Sequence, residues 1–186
     1  MTVHGAYRGN IRDDLGYLNT AGRPGVFHRA NLPRIGLDDV AVLATGVMTS
    51  AALYLQDGDT VTNLSFISGA TAAGTPTNYW FALYDGVSNA LLAQTADQTT
   101  GAWAADTVKT LALSAPVKIT RSGLYYAAVM VTATTVPTLV GTAGAKPVLT
   151  GESNLAQTSG SSLTGTAPAT IASPAFKRQV PLVIAS

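Results

Sequence analysis

Residues 123–133, GLYYAAVMVTA, run eleven positions without a charge, and no other stretch narrows the fold as much. Length alone would allow a buried helix. The tyrosines, valines and threonine are types that pack well on a pleated surface, so the run reads as a strand covered on both sides.

The rest of the chain supplies neighbours for it. Residues 48–55 (MTSAALYL) and 60–68 (TVTNLSFIS) read as strands, with Asp57-Gly58-Asp59 turning the chain between them. Residues 79–84 (YWFALY) form the strongest strand, with Trp80, Ala82 and Tyr84 on one face and Tyr79, Phe81 and Leu83 on the other. Residues 69–78 read as a small-residue loop and Asp85-Gly86 as a turn. Strands follow at 90–95, 107–113 (TVKTLAL) and 137–141, and Arg121-Ser122-Gly123 is a further turn. Residues 142–178 are a Gly/Ser/Thr/Ala-rich excursion containing Pro147, Pro168 and Pro174. Residues 179–185 (QVPLVIA) close the chain as a last strand, with Pro181 marking an edge or a bulge. Strands at this spacing, with no convincing long helix, define an all-β fold, a β-sandwich or jelly roll. The closing strand is expected to return beside a strand near the start of the core, as in Greek-key connections.

The first 45 residues have a different character. Nine of the chain's 21 charged residues lie there, with both histidines (His4 and His28), and neither a helical nor a strand period persists. They read as an extended N-terminal arm, with one helical turn allowed at residues 38–44 before Gly46. The expected division is an attachment arm over residues 1–45 and a sandwich module over 46–186. The arm has the composition of a segment that orders on a partner. Its arginines can pair bidentately with carboxylates, and its apolar side chains can supply affinity. The candidate partner-binding residues are therefore Tyr7, Arg8, Ile11, Arg12, Tyr17, Arg23, Phe27, Arg29 and Arg34.

Composition removes several function classes. Cysteine is absent, so there is no disulfide, thiolate metal site or thiol nucleophile. The net charge of +1 gives no general attraction to nucleic acid or an anionic membrane, and the arm's arginines are balanced by Asp13, Asp14, Asp38 and Asp39. No segment approaches the roughly 18 apolar residues of a membrane-spanning helix. Residues 1–10 lack the apolar core of a signal peptide, so the chain is expected in the cytoplasm after synthesis, or outside it only within an assembly.

No catalytic constellation is visible, and no cofactor is expected. A Ser-His-acid triad needs a histidine on a rigid scaffold, and both histidines sit in the arm. Asp57, Asp59, Asp85, Asp97, Asp106 and Glu152 all fall in turns or loops, where they read as turn formers. Asp57 and Asp59 could hold calcium, but no glutamate follows at the EF-hand distance, and a surface turn is the better reading. Trp80, Trp103, Tyr79, Tyr84, Tyr125 and Tyr126 could make a sugar-stacking platform, against which stands plain core packing. Trp103 lies in a loop and reads as a lid on the core.

Residues 63–139 then carry a resemblance. The stretches WFALYD (80–85), LLAQTADQTT (91–100) followed by AW, KTLALSAP (109–116) and GLYYAAVMV (123–131) with ATTVPTL (133–139) resemble a β-sandwich module of virion proteins from phages of actinobacteria. The tail, LTGTAPAT (163–170) and PLVIAS (181–186), resembles that module's closing segment. The likeness covers most of residues 47–186 and leaves the arm outside. It implies a non-enzymatic capsid decoration protein, binding the major capsid protein on the outside of the particle and stabilising the shell. The alternative it implies is a minor tail or tail-fibre module that binds a host receptor or glycan. The low charge, with apolar runs at 123–133 and 179–185 that a lone sandwich would leave partly open, adds the expectation of a homotrimer.

Overall fold

The computed structural model describes residues 28–186, and among them there is no helix. In chain order the strands are β1 (Arg29–Ala30), β2 (Asp38–Val42), β3 (Met48–Leu55), β4 (Thr60–Ile67), β5 (Gly74–Asp85), β6 (Leu91–Gln94) and β7 (Val108–Lys118). They continue with β8 (Gly123–Thr135), β9 (Thr138–Ala143), β10 (Ala156–Ser159), β11 (Ala175–Phe176), β12 (Gln179–Pro181) and β13 (Val183–Ala185). Every ladder between them is antiparallel. One sheet has the order β1-β13-β4-β7, a second β11-β10-β3-β8-β5-β6, and a third β12-β9-β2. The chain is all-β. The four- and six-stranded sheets face each other as a sandwich, with the three-stranded sheet beside them. These sheet orders do not by themselves make it a jelly roll.

The core explains the uncharged run. β8 lies inside the six-stranded sheet between β3 and β5, and residues 125–131 are all buried. Tyr79, Phe81 and Leu83 of β5 enter the space between the two large sheets, with Leu53, Leu64, Phe66, Leu111 and Val129. Trp80, Ala82 and Tyr84 point to the opposite face and pack with Met48, Tyr126 and Met130. The alternation read from the sequence is the alternation between these two clusters. Trp103 is buried at 1% exposure, with its ring centroid 5.6 Å from that of Phe81 and 5.8 Å from that of Tyr79, so it is a lid on the core as expected.

Residues 142–178 are more than an excursion. Besides β10 and β11 they contain a strap, residues 163–171, laid over the outer face of the six-stranded sheet. Leu163, Ala167 and Ile171 pack on the Trp80 cluster. The Trp80 indole N–H donates to the Thr164 carbonyl (2.7 Å) and the Tyr84 hydroxyl to the Pro168 carbonyl (2.9 Å). The Gln94 amide oxygen accepts from Ala167 N–H at 2.7 Å, and its nitrogen donates to the Gly165 carbonyl at 3.3 Å. Leu91 N–H donates to Ala169 and Ile171 N–H to Asn89, each at 2.9 Å. Buried polar groups cost free energy unless paired, and the strap pairs these while excluding water from the aromatic face.

Several boundaries move. Residues 74–78, read as loop, begin β5, and β7 runs on through Pro116 to Lys118. The closing strand is two: β12 pairs with β9 at the edge of the third sheet, and the chain then crosses to β13, which lies between β1 and β4. Pro181 ends β12, an edge strand, and β13 makes the expected return beside an early core strand. The apolar runs at 123–133 and 179–185 are covered by the chain itself: Val180, Leu182, Val183 and Ala185 are each at most 3% exposed. They therefore do not call for a partner copy, and that motive for a trimer falls.

The arm boundary is also corrected. Residues 38–42 are a strand, not a helical turn, because they complete the third sheet against β9. Arg29–Ala30 extend the four-stranded sheet on β13, while Leu43 is buried and Leu32 packs against the main core. From Arg29 onward the chain is stitched into the sandwich, so a division at 45/46 does not separate arm from module. Residues 1–27 lie outside the described residues.

Candidate functional site

Side-chain hydrogen bonds and an ion pair lock the N-terminal segment to the sandwich. β1 has only two residues, too short to hold by its ladder alone, and side chains on either side of it do the rest. Arg29 lies on Asp59: Nε donates to Oδ2 at 3.1 Å and Nη2 to Oδ1 at 2.9 Å, while Nη2 also reaches the Gln56 amide oxygen at 3.2 Å. Asp59 Oδ2 in turn accepts from Gln56 N–H at 2.8 Å. The pair is mostly out of solvent, with side chains 20% and 9% exposed. A bidentate guanidinium–carboxylate pair fixes direction as well as adding energy. Two residues on, Asn31 acts as a second hook. Its Nδ2 donates to the Pro181 carbonyl (3.0 Å), and its Oδ1 accepts from Val183 N–H (2.9 Å).

The sequence offers Arg29 as a partner-binding residue. Its guanidinium is instead engaged inside the fold, where Asp59 needs a counter-charge. Arg34 sits in the exposed loop between β1 and β2 next to Ile35, which is 64% exposed. His28, just before β1, is held below its ordinary pKa, first by partial burial and then by the positive charges of Arg34 and Arg29. The other candidates, Tyr7, Arg8, Ile11, Arg12, Tyr17, Arg23 and Phe27, lie outside the described residues. Asn31, Gln56 and Asp59 were missed as parts of the junction. Arg29 and Asp59 are thirty residues apart, and no local pattern announces that they meet.

The carboxylates serve turns. Asp85 Oδ1 accepts from the backbone N–H groups of Val87 (2.9 Å) and Ser88 (2.7 Å), and the Ser88 hydrogen bond leads in holding its carboxyl below the usual range. Asp97 accepts from Tyr79 N–H at 2.9 Å and from the Asn78 amide at 2.6 Å. Glu152 accepts from Val148 N–H at 3.0 Å. Asp59 is committed to Arg29. Among the described residues no group of three or more His, Asp or Glu side chains is placed to hold a metal ion.

Trp80, Trp103, Tyr79, Tyr84, Tyr125 and Tyr126 are at most 4% exposed, so they form core and not a stacking platform. Burial raises the pKa of the Tyr84, Tyr125 and Tyr126 hydroxyls, which donate to backbone carbonyls. A shallow, open groove of about 350 Å³ lies where the strap meets the end of β8, lined by Thr45, Gly46, Thr132, Ser162, Leu163 and Thr164. It contains hydroxyls and one leucine and no titratable group.

No protein-family model matches the chain, and no curated protein is similar to it.

Proposed function

We propose that the chain is a structural protein of a bacteriophage particle, a capsid decoration protein that binds the major capsid shell from outside and reinforces it. One observation carries the reading furthest. The sandwich covers both faces of its central sheet with its own chain, and the segment leading to the N-terminus enters it through a rigid, side-chain-locked junction. That is the build of a stable body held to a surface through a tether, and it suits the likeness of residues 63–139 to virion modules. In this reading the protein is made in the host cytoplasm and resides on the outer surface of the particle. Tyr7, Arg8, Ile11, Arg12, Tyr17, Arg23 and Phe27 contact the shell, and three copies gather at a three-fold position. The motive for three copies is the symmetry of a shell, not uncovered apolar strands. No cofactor or catalytic step is part of the proposal.

The test is to purify particles from an actinobacterial host carrying the gene and label them with antibody raised against residues 28–186. Regular labelling of the head supports the reading. Labelling confined to the tail transfers the protein to the tail-module alternative, and particles without label reject both.

A further inference from the structure

We infer that copies of this chain join head to tail, the aliphatic tip at Val148 and Leu149 of one copy seating in the groove beside Gly46 of the next. The inference deepens the proposed function by naming the contact between its three copies, and it rests on that reading for their number.

The tip lies between β9 and β10. Val148 is 86% exposed and Leu149 73%, the one adjacent pair of large exposed aliphatics among the described residues. Their turn is set in advance. Glu152 N–H donates to the Leu149 carbonyl at 3.2 Å, and Gly151 supplies the positive φ of +85°. One Glu152 carboxylate oxygen accepts from Val148 N–H at 3.0 Å and Leu149 N–H at 3.5 Å. Seating such a tip orders little that is loose, and removing two aliphatic side chains from water drives it. Lys146 is the other charged residue between Gly144 and Leu155; it is exposed and two positions short of Val148.

The groove matches the tip in size and in chemistry. Its volume of about 350 Å³ takes two aliphatic side chains, and its lining is largely apolar although four of the six residues carry hydroxyls. Hydrogen bonding explains this. The Thr132 hydroxyl donates to the Leu163 carbonyl at 3.0 Å, and the Thr45 hydroxyl is bonded to the Ala133 backbone at 3.2 Å, which leaves methyl groups for the surface. Half-buried Leu163 supplies the apolar floor. The walls are as fixed as the tip. Gly46 N–H donates to the Val131 carbonyl and Leu163 N–H to the Gly46 carbonyl, each at 2.9 Å. Gly46 has φ +66°, and a β-carbon there would stand 3.3 Å from the Ser162 backbone, so only glycine lets the strap come this close. With no titratable group in the lining, an aliphatic tip strands no charge.

Tip and groove belong to different parts of the molecule. The tip's loop rejoins the six-stranded sheet where Tyr126 donates to the Asn154 carbonyl and Ala52 N–H to the Leu155 carbonyl. The groove is level with Thr132, six residues further along β8, or about 20 Å. A chain leaves its own tip open, as the exposure of Val148 shows. A contact between two unlike surfaces leaves each copy with one tip and one groove to offer, so it repeats until a ring closes, which a contact between like surfaces does not do.

The chain has no cysteine, so introduced cysteines report the contact without background. Leu149→Cys and Thr164→Cys are made in separate full-length chains. Both side chains are exposed, and Thr164 holds Trp80 through its carbonyl, which the substitution keeps. The purified variants are mixed at micromolar concentration under a mild thiol oxidant, and linked chains are counted by mass spectrometry. The mixture should give about tenfold more linked pairs than either variant alone, because a disulfide forms only between cysteines brought face to face. In sedimentation the natural chain should associate, and Leu149→Asp should need about tenfold more protein to do so with an unchanged melting temperature. Leu149→Cys linking to itself as readily as to Thr164→Cys would make the contact tip to tip and overturn the inference. A natural chain that stays monomeric throughout the micromolar range would overturn it too. Neither result bears on where the protein sits on the particle, which the antibody labelling decides separately.

Discussion

The outer faces of the two large sheets have opposite fates. On the six-stranded sheet the outward positions of β5 and β8 are Trp80, Ala82, Tyr84, Tyr126, Ala128 and Met130, all at most 3% exposed beneath the strap. On the four-stranded sheet the outward positions of β7 include Val108, Thr110, Ala112 and Ser114, all exposed, with Ser65 and Thr110 sharing a 2.7 Å hydroxyl contact across β4 and β7. The difference lies in side-chain size and in hydrogen bonding. Large aromatics with polar tips require cover that also offers carbonyls, and residues 163–171 provide both. Small hydroxyl and methyl side chains can face water without cover. The aromatic face is therefore closed to partners, while the outer face of the four-stranded sheet stands open to solvent.

The sharpest way to break this contrast is Trp80→Ala. It removes the largest side chain under the strap and the Thr164 bond together, and should cost about 3–5 kcal/mol, read as a lowered denaturation midpoint. Protease cleavage within 160–171 should appear at the same time. If the strap stays protected and the midpoint holds, the face does not depend on its cover. Asp59→Ala should come next. It leaves the Arg29 guanidinium without its carboxylate and Gln56 N–H without its acceptor, at a cost of about 2 kcal/mol. Faster amide exchange at residues 29–31 would locate the damage at the junction. Ser65→Ala, on the bare face, should cost about 0.5–1 kcal/mol, because the Thr110 hydroxyl stays open to water. A loss as large as that of Trp80→Ala would erase the distinction between the faces.

The smallest expected effect is a pH dependence at His28. The fold holds its pKa below the ordinary 6.5, so the unfolded chain takes up the proton first as pH falls. The contribution is fully present above 6.5 and is lost as pH falls from there through the folded value. His28→Gln should flatten stability slightly over that window while leaving it unchanged at pH 8, and an identical pH profile for both chains would remove His28 from the account.

Strands with strong local patterning were legible. The alternation of residues 79–84, the run at 123–131 and the strand at 48–55 were each readable because period and residue type agreed. The strap was not. It has no period, and it is held by side chains of distant strands bonding to its carbonyls, which no window along the chain can reveal. The same applies to the N-terminal junction. Residues 28–43 look irregular because Pro33 and Gly36 interrupt them, yet β1 and β2 are recruited by β13 and β9, about a hundred residues or more later. Tertiary pairing overrides weak local preference there.

The proposed function requires a body that folds from His28 onward and a preceding segment that attaches it to the shell. Deleting residues 1–27 tests this more directly than any substitution, and a deletion of 1–40 would not, because it would remove β1, the Arg29–Asp59 pair and part of β2. The measurement is thermal melting of the shortened chain together with its occupancy on stripped particles. The account predicts a single cooperative melt close to that of the full chain and occupancy reduced to background. A chain that still fills the particle, or one that no longer folds, would contradict it.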